Sequence, residues 1–148
     1  MQQNRRNIAK IGRSFAGMTQ ERWAEALGYS VRSIGAWESG EQPLTNEAVI
    51  RMVDVTGQQV LAYWYLVDSL GDAARLPDVE VAPLPQAVLR LLCRIKEFSD
   101  RHQTDRLMQI AEDGKIDETE RTDFDQIVTE LDAIVQAAMT LKFAKSLE

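Results

Sequence analysis

The chain has 148 residues, 45% of them apolar and 27% charged, which is the composition of a folded protein with one domain or two small ones. A single cysteine and a single histidine exclude an internal disulfide and a Cys/His zinc site, and no glycine-rich phosphate loop is present. We therefore expect no cofactor and no enzymatic activity. The first residues lead into no apolar signal segment, so we expect a cytoplasmic protein of a bacterial cell or phage-infected host.

The formal charge of −6 is unevenly distributed along the chain. Residues 1–40 carry six basic and three acidic side chains, whereas residues 67–148 carry ten basic and seventeen acidic ones. Such a difference between the halves predicts two roles, one directed at an anion and one directed at something else.

The first 70 or so residues predict five short helices. Three segments with helical apolar periodicity are each preceded by a side chain suited to N-capping: Thr19, Ser30 and Thr45. Apolar residues on either side of each cap are spaced so that they can form a hydrophobic staple. A glycine that can end a helix follows the second and third helices, which are predicted at 20–27 and 31–39. An apolar stripe from Ile8 to Phe15 precedes them, and an aromatic-rich segment predicts a fifth helix over 58–70.

A proline-dense stretch then separates the two halves. Three prolines between residues 77 and 85 favour an extended linker, which we place at 75–86. Beyond it, apolar periodicity predicts helices over 87–103 and 105–112. A last helix is predicted from a capping-box-like start at Asp117 to about Ser146.

The carboxy-terminal helices carry an apolar stripe with the 3–4 spacing of a helix–helix seam. Its members are Val88, Leu91, Ile95, Phe98, Phe124, Ile127, Leu131, Ile134, Ala138 and Leu141. Two interpretations have equal support: a surface that joins copies of the chain, or the core of an intramolecular helical hairpin. Cys93 is predicted to be a small buried residue beside Leu92.

Residues 18–40 resemble the helix-turn-helix of the Cro/phage-repressor (XRE-like) family, reading MTQERWAEALGYSVRSIGAWESG. The resemblance depends on residue types at fixed offsets, including Thr-Gln-Glu at the start, Leu-Gly before the turn and Trp-Glu-x-Gly at the end. It covers roughly residues 5–70. It implies an all-α fold, with a five-helix lambda-repressor-like DNA-binding domain at 1–74, the linker, and a helical hairpin or bundle for oligomerisation at 87–148.

The resemblance also implies that the helix over 31–39 lies in the major groove of DNA. Arg32 is the one residue of its outer face that can bond a guanine bidentately. Gln20 matches a position where the family places a glutamine against the DNA backbone or against the recognition helix. The predicted DNA contacts are Gln20, Val31, Arg32, Ser33, Gly35, Ala36, Ser39, Gln42 and Asn46, with Val31 and Ala36 able to touch a thymine methyl group.

One departure from the family pattern affects affinity. The loop after the recognition helix often carries Lys or Arg in this family, whereas here it contains Glu41, which would repel phosphate. We therefore expect weak binding by one domain and usable affinity only when two domains bind together.

Two functions follow from these features. The first is a sequence-specific DNA-binding transcriptional regulator that binds a double-stranded operator as a dimer or higher homo-oligomer. The alternative is a protein-interaction adaptor of the antitoxin or anti-repressor type, whose acidic half binds a basic protein partner. A ligand-sensing repressor is less well supported, since no convergent polar cluster indicates an effector pocket.

Overall fold

The computed structural model describes residues 5–145, and within that range it contains α-helices and no β-strand. The predicted all-α fold class is therefore confirmed. The chain divides between Leu76 and Pro77 into two compact units. None of the helices within 5–145 has the length and apolar character needed to cross a membrane.

Five helices form the first unit: α1 (Ile8–Ala16), α2 (Gln20–Leu27), α3 (Val31–Ser39), α4 (Asn46–Thr56) and α5 (Val60–Ala74). Each predicted N-cap side chain accepts a hydrogen bond from the backbone N–H three residues further on, which confirms Thr19, Ser30 and Thr45. Gly28 and Gly40 end α2 and α3 with φ angles of 73° and 79°, the left-handed conformation that glycine adopts without strain. These caps fix where each short helix begins and ends.

The core of the first unit surrounds Trp23, which is fully buried. Leu27 and Ile34 are buried with it, so α2 and α3 are held together by their apolar faces. An added Cβ at Gly12 would lie 3.4 Å from the Trp23 ring and from the Met52 sulfur, which shows how closely α1 approaches this core. Burying each large apolar side chain contributes about 1.5–3 kcal/mol.

Three helices form most of the second unit: α6 (Leu84–Asp100), α7 (Gln103–Ala111) and α8 (Glu118–Lys142). The long helices α6 and α8 pack against each other, and the short α7 packs against both. The capping box predicted at the start of α8 is confirmed, since Asp117 and Glu120 exchange hydrogen bonds with each other's backbone N–H groups. The carbonyl of Ala82 accepts a hydrogen bond from the Lys145 N–H at 3.1 Å, which joins the two ends of this unit.

Several helix ends differ from the prediction. α6 begins at Leu84 because Pro85 falls in the first turn, where its missing N–H is not needed. It ends at Asp100 because His102 adopts a left-handed φ of 55°. α8 ends at Lys142, and the predicted end at Ser146 lies outside the described residues.

The proline-dense segment is non-helical over residues 76–83, and it is packed rather than free. Val79 is fully buried, Ala82 is 5% exposed, and the Gln136 side chain donates a hydrogen bond of 2.7 Å to the Asp78 carbonyl. From Pro77 onward this segment therefore belongs to the second compact unit. The division of the chain into a DNA-binding domain, a linker and an interaction domain stays a prediction about roles.

Candidate nucleic-acid interface

The amino-terminal turn of α3 is presented to solvent. Ser30 caps the helix by accepting a hydrogen bond of 3.1 Å from the Ser33 N–H, and the two hydroxyl groups lie 3.0 Å apart. Val31 and Arg32, the first two residues of the helix, are exposed, while Ile34 behind them is buried. A side chain on this turn can therefore reach a ligand without displacing the core.

The remaining predicted DNA contacts differ in how far they are exposed to solvent. The half-buried ones are Gln20, Ser33 and Gly35, and the exposed ones are Ser39, Gln42 and Asn46. Ala36 is only 8% exposed, so the prediction that its methyl group lies on the outer face is wrong. The loop after α3 folds back at this point, because the Gln42 backbone N–H donates to the Ala36 carbonyl at 3.1 Å.

The other end of α3 is attached to its neighbours through one carboxylate. Glu38 accepts hydrogen bonds from Arg13 Nε at 2.6 Å and Arg13 Nη2 at 3.1 Å, both from α1. Gln20 Nε2, from the start of α2, donates to the same carboxylate at 2.8 Å. The Asn7 side chain donates to the Glu38 carbonyl at 2.7 Å. A single residue of α3 thus connects the starts of α1 and α2 to the recognition helix.

This carboxylate is almost completely enclosed, with 7% of the side chain exposed. Burial alone raises its pKa, but the hydrogen bonds from Arg13 and Gln20, together with the Arg13 charge, outweigh burial and leave the pKa of Glu38 below its ordinary value. The pKa of Arg13 is raised by the same hydrogen bond. The pair therefore stays ionised near neutral pH.

A second cluster supports the turn between α2 and α3. The Tyr29 and Trp37 rings meet edge to face with their centroids 4.8 Å apart. The Arg51 guanidinium, from α4, lies 4.9 Å from the Tyr29 ring centroid and donates to the Leu27 carbonyl at 2.9 Å. Trp37 is half-buried in this cluster rather than fully enclosed. The last turn of α2 and the middle of α3 are thereby fixed relative to α4.

The charge around α3 is mixed. Arg32 on α3 and Arg22 on α2 are exposed, as is Glu41 in the loop that follows α3. Arg13 and Arg51 form ion pairs with Glu38 and Glu47. On α2 and α3, Arg22 and Arg32 are therefore the cations that can contact an anion, and two positive charges are few for DNA binding.

Sequence reasoning missed the Glu38 cluster. It included Glu38 only as a letter of the motif and left two roles open for Gln20. In the structure the Gln20 amide bonds the recognition helix, which is the second of those roles. Gln20 and Arg13 lie 18 and 25 positions before Glu38 in the sequence. The pattern of charges along the chain does not show which residues pair over such separations.

The members of the stripe predicted to join copies of the chain differ in how deeply the second unit buries them. Ile127 is 1% exposed and belongs to the interior, whereas Ile95 and Ala138 are exposed. The other members are half-buried: Val88, Leu91, Phe98, Phe124, Leu131, Ile134 and Leu141. Cys93 is exposed, contrary to the prediction, because it lines an open groove between α6 and α8.

Comparison with known proteins bears on the first unit only. Residues 10–61 match a family model described as a helix-turn-helix domain. No curated protein and no solved structure matches the chain. The matched segment begins within α1 and ends within α5, so it contains α2, α3 and α4 with their caps, the turn at Gly28, and Glu38 with its partners Arg13 and Gln20. The first unit of this chain is therefore similar, over residues 10–61, to a helix-turn-helix domain.

Proposed function

We propose that this chain is a sequence-specific transcriptional regulator that reads the major groove of DNA with α3 and acts as a dimer or higher oligomer. It has no chemistry of its own and works by occupying an operator. The observation that carries the proposal is the arrangement of α3, whose first turn is exposed at Val31 and Arg32 while its last turn is fixed by Glu38. Such a helix can enter a groove without changing shape.

Base recognition is assigned to Arg32. A guanidinium can donate two parallel hydrogen bonds to the O6 and N7 acceptors of guanine, which no other exposed side chain of α3 can do. Ser33, next to it, is half-buried and already bonded to Ser30, so its hydroxyl is suited to a second, weaker contact. Arg22 on α2 supplies charge toward the phosphates.

Two copies are part of the proposal because one domain offers little charge. Each phosphate contact supplies part of the salt-dependent affinity, and the exposed cations on α2 and α3 are few. Two linked domains bind with a high effective concentration, which compensates for weak individual contacts. The operator is then expected to contain inverted half-sites whose centres lie about 34–36 Å apart.

The test is selection of DNA by the purified full chain, repeated with Arg32→Ala. Loss of discrimination at one base pair, worth about 1–3 kcal/mol, supports the proposal. Arg22→Ala is the matched control, since it removes the same charge from an exposed position of α2. We expect the control to weaken binding to all sequences equally. An unchanged sequence preference in Arg32→Ala would contradict the role of α3.

A protein-interaction adaptor is the second candidate, and the charge of the second unit favours it. Residues 77–148 carry fifteen acidic and nine basic side chains, so a basic protein would be attracted there. The two functions differ in salt dependence, because affinity for random DNA falls steeply with rising salt for a DNA-binding protein. An adaptor would show no such binding to DNA at low salt.

A further inference from the structure

One glycine of this chain has no structural reason within the first unit. The chain contains eight glycines, and five of them adopt a positive φ that a side chain would strain. The other three lie inside helices. An added Cβ at Gly12 of α1 would lie 3.4 Å from the Met52 sulfur. An added Cβ at Gly71 of α5 would lie 3.2 Å from Val67 Cγ1. Gly35 of α3 has neither a positive φ nor a close neighbour.

Gly35 lies in the middle of the recognition helix, where glycine weakens the helix. It is the fifth of the nine residues of α3. Glycine is the poorest helix former apart from proline, because it loses the most backbone freedom on folding. A Cβ built at Gly35 meets no other part of the described chain within 4 Å. An alanine would therefore fit and would stabilise α3, so packing within residues 5–145 does not account for the missing side chain.

The missing side chain leaves a notch in the exposed face of α3. Residues three and four positions apart on a helix are neighbours on its surface. Gly35 is therefore bordered by Val31 and Arg32 on one side and by Ser39 on the other, and all three are exposed. We call the gap between these residues the Gly35 notch. Its floor is the backbone of α3, and one of its walls is the apolar side chain of Val31, which is 42% exposed.

We propose that the Gly35 notch receives the 5-methyl group of a thymine, so that Gly35 determines specificity for a T·A base pair. The inference deepens the proposed function and rests on it, because it requires α3 to enter the major groove. The 5-methyl group is the apolar group that a T·A pair presents in that groove. The notch is the space of one missing alanine methyl, so the two match in size. Contact with Val31 and with the Gly35 Cα removes the thymine methyl from water.

The borders of the notch suit a methyl group better than a phosphate. Val31 offers only apolar atoms, and the Ser39 hydroxyl already donates a hydrogen bond of 3.2 Å to the Ala36 carbonyl. The Gly35 N–H is inside a helix, where it bonds the carbonyl one turn earlier. A phosphate in the notch would lose water and find one donor, Arg32, which the proposed function assigns to guanine.

The Gly35 notch and Arg32 face neighbouring base pairs. They are three residues apart, which is about 4.5 Å along the helix axis, and successive base pairs are about 3.4 Å apart. Each half-site is therefore expected to contain a thymine, on either strand, next to the guanine. The thymine contact predicted for Val31 is kept, and the one predicted for Ala36 moves to Gly35, because Ala36 is only 8% exposed.

The first test removes the methyl group from the DNA. The unaltered full chain is titrated with the duplex obtained by selection and with the same duplex carrying deoxyuridine in place of the thymine beside the guanine. Deoxyuridine keeps the base pairing and lacks only the 5-methyl group. We expect binding to weaken about fourfold for each substituted half-site, the factor that corresponds to burial of one methyl group. Deoxyuridine at a thymine outside the half-sites is the matched control and should change nothing.

The second test fills the notch from the protein side. Gly35→Ala should weaken binding to the selected duplex about tenfold, because its methyl group overlaps that of thymine. The same variant should bind the deoxyuridine duplex more tightly than the selected one, which reverses the preference of the unaltered chain. Its midpoint of thermal unfolding should rise by about 2–8 °C, because alanine replaces glycine inside a helix. Ser14→Ala, at an exposed position of α1, is the matched control, since it should raise the midpoint and leave both affinities unchanged.

The outcomes separate this inference from the proposed function. Equal binding of both duplexes by the unaltered chain, or full affinity of Gly35→Ala for the selected duplex, would overturn the inference while leaving the role of Arg32 in place. Equal weakening of both duplexes by Gly35→Ala would indicate contact with the DNA backbone and would overturn the thymine assignment. A lower thermal midpoint for Gly35→Ala would show that the notch is not open. A full chain that selects no DNA sequence would overturn the proposed function, and the inference with it.

Discussion

The substitution Glu38→Gln tests whether one carboxylate holds the helix-turn-helix together. Glu38 accepts three side-chain hydrogen bonds, two from Arg13 and one from Gln20. A glutamine side chain replaces one of the two acceptor oxygens with an N–H donor, so at least one of these donors would face another donor. The Arg13 guanidinium would also lose its counter-charge while only 23% of its side chain is exposed.

The expected loss of stability is about 2 kcal/mol. Hydrogen bonds to charged groups contribute about 1.5–3 kcal/mol each, and breaking a fully buried pair costs about 3–5 kcal/mol. Arg13 keeps some contact with water, so the loss falls below that of a fully buried pair and within the range for one hydrogen bond to a charged group. For a domain of this size the midpoint of thermal unfolding would fall by about 8–16 °C.

Tryptophan fluorescence is the suitable assay, because all three tryptophans lie in the first unit. Urea unfolding of Glu38→Gln is compared with Glu25→Gln, which removes an exposed carboxylate from α2 and should change stability by less than about 0.5 kcal/mol. If Glu38→Gln and Glu25→Gln unfold at the same urea concentration, the argument for this cluster is wrong.

The same pair of proteins gives a pH test. Because the pKa of Glu38 is lowered in the folded chain, its contribution to stability is fully present above the ordinary pKa that the group has in the unfolded chain. That contribution is lost as pH falls through the lower folded pKa. The stability difference between the unaltered chain and Glu38→Gln should therefore be largest near neutral pH and shrink in acid. A difference that stays constant down to acid pH would contradict the assigned pKa direction.

Two further substitutions test the ends of the short helices. Ser30→Ala should destabilise the first unit by about 1 kcal/mol, because α3 loses its N-cap and the Ser33 hydroxyl loses its neighbour; Ser30→Gly should cost less in the same urea titration, and equal losses would argue against capping. Gly28→Ala should cost about 1–2 kcal/mol, since φ is 73° and the new Cβ would lie 3.0 Å from Arg51 Nη1. Gly17→Ala shares the left-handed φ but meets no atom within 4 Å, so a smaller loss there would isolate the Arg51 contact.

The short helices of the first unit could be predicted because their signals are local. A capping side chain, a staple and a glycine all act within a few residues of the helix end, so the bounds of α2 and α3 agree with the sequence prediction. The Glu38 cluster could not be predicted in the same way. Its partners come from α1 and α2, and only the packed core brings them within hydrogen-bond distance.

The second unit shows a different limit of sequence reasoning. Periodicity identified the apolar stripe of α6 and α8 but could not say how much of it a partner helix covers. Two long helices and one short one bury Ile127, yet leave Leu92, Val135 and Cys93 exposed. The sequence predicts the start of α6 three residues too late, because proline disfavours helix in the residue before it, whereas a helix tolerates Pro85 in its first turn.

The most direct test of the central claim is a titration of the ¹⁵N-labelled full chain with the duplex obtained by selection. Entry of α3 into the groove predicts that the largest shifts occur at the backbone amides of residues 31–33 and at the start of α2. An unrelated duplex of the same length should give smaller shifts at the same amides, because phosphate contacts are shared but base contacts are not. Shifts confined to α6 and α8, with residues 31–33 unchanged, would contradict the account.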